Sequence, residues 1–116
     1  MAHTLGTHYY RTVHLEEAFE TIVQHFLATP EVIRAKMFGA PTLKVGGKVF
    51  ACLYKGKLVV KLPQGRVSAL VASGQGEHFD PGMGRMMKEW VTLEPRGEDH
   101  MRELIQKAKD FVAPGR

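Results

Sequence analysis

Six histidines and one cysteine are the residues of this 116-residue chain best suited to hold a metal or attack a substrate. Their spacing argues against both. His14 and His25 stand eleven residues apart, on nearly one helical face but three turns of rise from each other, too far to share one ion. His3 and His8 fall in an N-terminal stretch read as a flexible tail, residues 1–12. His78 and Asp80 lack a third ligand placed by the sequence. Cys52 has no Cys–His signature around it and sits in mid-strand, not at a helix N-terminus where a thiolate is favoured. Gly82-Met83-Gly84-Arg85 has the look of a phosphate-cradling turn. It lacks the lysine and hydroxyl of such loops, however, and leads into a strand. The chain therefore reads as a non-enzyme, with no catalytic residue, cofactor or metal expected.

What remains is charge. The net charge is +4, from 16 Lys and Arg against 12 Asp and Glu. Between Glu31 and Glu77 no acidic residue occurs, whereas Arg34, Lys36, Lys44, Lys48, Lys55, Lys57, Lys61 and Arg66 make a block of +8. The rest of the chain carries −4. Such asymmetry makes one region suited to anions. Lysines on exposed strands also protect sheet edges, so the block has a purely structural reading beside the functional one.

Length and composition bound the classes. One domain spanning residues 1–116 is expected, and the 44% hydrophobic content is enough for its own core. A single cysteine excludes an internal disulfide framework and points to a reducing cytoplasm. No apolar run approaches the roughly 18 residues of a membrane span, and the first fourteen residues lack the apolar centre of a signal peptide.

The elements follow from periodicity. Leu15, Ala18, Phe19, Ile22, Phe26 and Leu27 recur at helical spacing and must stop before Pro30. Three apolar runs, Thr42 to Val45, Lys48 to Tyr54 and Lys57 to Leu62, are separated by Gly46-Gly47 and Lys55-Gly56, which predicts hairpins. Pro63 opens a second helix and Gly74 closes it. After it come an extended piece near Glu77 to Phe79 and a strand from Met86 to Leu93. Met101, Leu104, Ile105, Ala108 and Phe111 mark a third helix, with Glu103 and Lys107 as an i,i+4 pair. The order α-β-β-β-α-β-β-α is an α+β domain, a two-layer sandwich on an antiparallel sheet.

Register then assigns faces. Pairing Tyr54 with Lys57 puts Val49, Ala51, Leu53, Leu58, Val60 and Leu62 on the core side. A three-residue loop from Val45 to Gly47, pairing Lys44 with Lys48, brings Leu43 inward beside Val49. The opposite face then carries Lys44, Lys48, Phe50, Cys52, Tyr54, Lys57, Val59 and Lys61, joined by Lys88 and Trp90 from the later strand. This half-apolar, lysine-rimmed face is the candidate interaction surface.

Met37-Phe38-Gly39, Gly47-Lys48-Val49-Phe50-Ala51, Leu58-Val59-Val60-Lys61 and Gly84-Arg85-Met86-Met87-Lys88-Glu89-Trp90, taken in order, resemble the N-terminal domain of the TfoX/Sxy family of bacterial competence regulators. That domain is related in shape to the YjbR/MmcQ family and to type III secretion chaperones. The resemblance runs from about Ala35 to the C-terminus and implies the order α-β3-α-β2-α. It also implies a bacterial, non-enzymatic regulatory or adaptor role through protein–protein contacts, and brings no catalytic residues with it. The alternative is a nucleic-acid-binding protein using the basic region between Arg34 and Arg66, with Phe50 and Tyr54 stacking on bases. Rim lysines would repel across a symmetric face-to-face contact. The expected partner is therefore an acidic protein, or a second copy in a weak dimer meeting through the sheet edge or a helix.

Overall fold

The computed structural model describes residues 3–80 and 87–113, with side chains from His14 onward. Its elements in chain order are α1 (His3–Phe26), β1 (Val32–Met37), β2 (Ala40–Val45), β3 (Lys48–Tyr54), β4 (Lys57–Lys61), α2 (Gln64–Ala72), β5 (Gly76–Phe79), β6 (Met87–Leu93) and α3 (Glu98–Val112). The six strands form one antiparallel sheet ordered β1-β2-β3-β4-β6-β5. Two expectations are corrected at this level. The first strand block has four members, since β1 precedes the three runs that the apolar pattern marks. The first helix starts at His3, inside the segment read as a tail.

Local chemistry sets the boundaries. α1 ends before Pro30, and the Leu27 and Thr29 amides close its last turns on Val23 and Phe26. Pro63 caps α2 at φ −55°, its carbonyl taking the Arg66 and Val67 amides, and Gly74 exits at φ +80°. α3 opens with Glu98 and Asp99, where negative charge favours the helix dipole. Its ion pairs run from Arg102 to Asp99 (2.9 Å) and Glu98 (3.9 Å), not between Glu103 and Lys107 as the spacing predicts.

The main core lies between the helices and one face of the sheet. Phe19, Ile22, Val23 and Phe26 of α1, Val67 of α2 and Met101, Leu104, Ile105 and Ala108 of α3 pack onto Leu43, Val45, Ala51, Leu53, Leu58, Val60 and Val91. Burying each of the larger side chains is worth on the order of 1.5–3 kcal/mol. A second cluster, Cys52, Val59, Phe79 and Trp90, contains no helix residue and lies on the opposite face. The fold is thus two-layered, helices on one side. Among the described residues no helix is long and apolar enough to cross a membrane.

The Tyr54↔Lys57 register is as expected, but the β2–β3 register is not. The loop has two residues, Gly46 and Gly47, both at positive φ, and Val45 pairs with Lys48. Core alternation is restored by a bulge: Lys44 pairs with Val49 and Leu43 with Ala51, leaving Phe50 as the extra residue. Phe50 therefore joins Ala51 in the helix-side core, and Val49 moves to the other face.

Candidate functional site

Antiparallel pairs share a face, so the ladder determines which side chains point away from the helices. From β1 these are Ile33, Ala35 and Met37, and from β2 Ala40, Thr42 and Lys44. Val49, Cys52 and Tyr54 follow on β3, then Lys57, Val59 and Lys61 on β4. Trp90 and Thr92 on β6 pair with Lys61 and Val59, whereas Lys88 falls in the bulged stretch between Met87 and Trp90, where alternation assigns it no face. Of the eight residues expected on this surface, Lys44, Tyr54, Lys57, Lys61 and Trp90 are on it. Phe50 and Lys48 are not. The bulge turns Phe50 into the core, and Lys48, opposite core-facing Val45, sits at the exposed rim of the helix side.

The floor of the face is aromatic. Phe38 lies edge-on to Tyr54 at 5.8 Å, Tyr54 edge-on to Phe79 at 5.5 Å, and Phe79 tilts against Trp90 at 6.4 Å. Met37, Val49 and Met87 fill in around them. Such ring pairs hold geometry as well as area. Cations sit on two rings of this row: Lys55 Nζ is 5.3 Å from the Tyr54 ring centre and Lys61 Nζ 5.8 Å from that of Trp90. Lys61 also approaches Glu89 at 3.8 Å. Phe38 and Lys55 both hold positive φ, 55° and 52°, as first residues of two-residue hairpin loops completed by Gly39 and Gly56. A phenylalanine in that backbone region is strained by about 1–2 kcal/mol, and Phe38 is 55% exposed beside the aromatic row. Phe38, Phe79, Met37 and Met87 are the surface residues the sequence reading missed. The signal for the first was the Phe38-Gly39 dipeptide, recognisable as a turn only once β1 is seen.

The remaining candidates are dispersed. Cys52 is fully buried beneath the aromatic row, and burial pushes its thiol up to about 12. His14 and His25 are exposed, and His78 Nδ1 is buried with no hydrogen-bond partner. The side chains of His3 and His8, the Gly82–Arg85 turn and Met86 lie outside the described residues. Among the described residues no three His, Cys, Asp or Glu side chains converge as metal ligands. A pocket of about 410 Å³ opens where β4, β6 and α3 meet, with Lys57, Glu77, Glu94, Arg96 and His100 in its wall. There His100 Nδ1 accepts the Arg96 amide at 2.9 Å, while burial and the Arg96 charge hold its imidazole below the usual range. A second pocket, about 540 Å³, lies between α1 and the hairpin turns, with Glu16, Phe38, Tyr54 and Lys55 in its wall.

Residues 27–108 match the family YjbR, so the chain belongs to the YjbR family. No curated protein and no solved structure matches it.

Proposed function

We propose that this single domain is a non-enzymatic adaptor that docks an acidic protein partner on the helix-free face of its sheet. The observation carrying the reading is the pairing on one face of Lys44, Lys57 and Lys61 with an apolar floor whose exposed members are Phe38 and Ile33, beside half-buried Tyr54. Such a face is complementary to a segment that alternates carboxylates with apolar side chains. The resemblance to the TfoX/Sxy N-terminal domain supports a regulatory, protein-binding role of this kind.

A second reading, nucleic-acid binding, draws on the same lysines. It is disfavoured by the rings: Phe79 and Trp90 are buried and tilted together, and Tyr54 is met edge-on and overlain by Lys55. Few flat surfaces are left for bases to stack on.

Trp90, the sole tryptophan, reports on this face. Titrating the protein with a peptide of alternating glutamate and leucine shifts its emission. The double variant Lys57→Glu, Lys61→Glu weakens binding by roughly tenfold or more, and Phe38→Ala also weakens it. Tighter binding of an oligodeoxythymidylate than of the peptide would favour the second reading. No response to either probe would overturn both.

A further inference from the structure

Among the described residues β1 ends the sheet, so one of its edges has no described strand beside it. The turn determines which backbone groups face that edge. The two-residue Phe38-Gly39 loop makes Met37 and Ala40 a hydrogen-bonded pair, and bonded pairs then alternate along the ladder. Two observations agree on the phase. Pro41, which has no N–H, stands opposite Lys36 at a non-bonded position. The Gly46 amide donates to the Glu31 carbonyl at 3.3 Å, one pair beyond Val32↔Val45. Arg34 and Lys36 therefore turn their N–H and C=O groups outward.

Those outward groups are symmetric about Ala35. We propose that β1 pairs antiparallel with β1 of a second copy of this chain, about a twofold axis at Ala35. Arg34 of each copy exchanges two N–H···O bonds with Lys36 of the other. On the helix-free face the same register sets Ile33 against Met37 of the second copy, at the non-bonded positions where side chains approach most closely. The two large apolar side chains most exposed among the described residues are Ile33, at 52%, and Phe38, at 55%. The first lies on β1 and the second in its turn.

Charge permits this contact where it forbids a face-to-face one. Arg34 is already engaged by Glu20 at 2.7 Å, a bidentate pair that also lowers the Glu20 carboxyl below its usual range. Lys57, Lys61 and Lys88 lie three or four strands from β1, about 14 Å or more at the usual strand spacing. Across the twofold they are separated by more than the ~8 Å screening length. The axis stands perpendicular to the sheet, so both helix-free faces lie on one side of a continuous sheet of twice six strands. Lys36 is the charge left facing Arg34 of the second copy, so association tightens as salt is raised.

Sedimentation equilibrium from about 10 µM to about 1 mM tests it. The mean mass should rise from 13.0 kDa toward twice that value. Lys36→Pro removes an outward N–H at an edge position where proline is tolerated, and should weaken the dimer by roughly tenfold or more. Lys36→Ala keeps the N–H, loses the charge and should dimerise at least as well as the parent. Independently of any variant, the Arg34 and Lys36 amides of the parent protein should exchange more slowly at high concentration. A monomer throughout, with those amides exchanging alike at all concentrations, overturns the proposal. So does a dimer that a folded Lys36→Pro leaves intact.

Discussion

Cys52 owes its chemistry to its neighbours. A thiol in mid-strand beneath Phe79 and Trp90 meets no positive charge to stabilise a thiolate, and burial alone lifts it to about 12. The native protein should therefore resist a thiol reagent at pH 8, labelling only as it unfolds. Rapid stoichiometric labelling of the folded chain would contradict the burial. The same shift carries a pH consequence. The folded-state value lies above the ordinary 9.0, so the contribution to stability is complete below pH 9. It declines as pH rises from there toward about 12, because the unfolded chain loses its proton first. Phe38 is the opposite case, strained in backbone and open to solvent above Tyr54 and Phe79, and so available for the proposed contact. The sequence placed Tyr54, Lys57 and Lys61 on the helix-free face because alternation about the Lys55-Gly56 hairpin is rigid. It misplaced Phe50 because Phe50 and Ala51 are both apolar, and no pattern of residue types says which of two adjacent apolar positions takes the bulge.

Elements were legible where their apolar periodicity was clean. β3, β4 and the three helices have it. β1 does not: its core-side positions after Val32 are Arg34 and Lys36, and Arg34 is accommodated by its ion pair with Glu20 on α1, not by apolar packing. With alanine and lysine also weak strand formers, neither period nor propensity marked it. Gly76 shows an element-level constraint of another kind. A Cβ there would stand 2.7 Å from Val91 Cγ2 and 3.2 Å from the Thr92 carbonyl oxygen, with Leu70 of α2 at 3.7 Å. Gly76→Ala should therefore lower stability by about 1–3 kcal/mol in urea unfolding. An unchanged midpoint would mean that β5 is free to move away from β6.

At the scale of the whole molecule, the basic block of the sequence becomes the first four strands and α2. Carboxylates gather in the helix layer, at Glu16, Glu17 and Glu20 of α1 and Glu98, Asp99, Glu103 and Asp110 of α3. On the helix-free face Lys44, Lys57 and Lys61 nonetheless leave a positive surface, which would steer the proposed acidic partner toward the sheet. The most direct test is to map backbone amide shifts while adding the alternating glutamate–leucine peptide at low salt. The shifts should concentrate at Lys44, Tyr54, Lys57, Lys61 and Trp90 and fade as salt is raised, with α1 and α3 unmoved. Shifts centred on the helix layer, with the sheet face silent, would contradict the assignment of this surface.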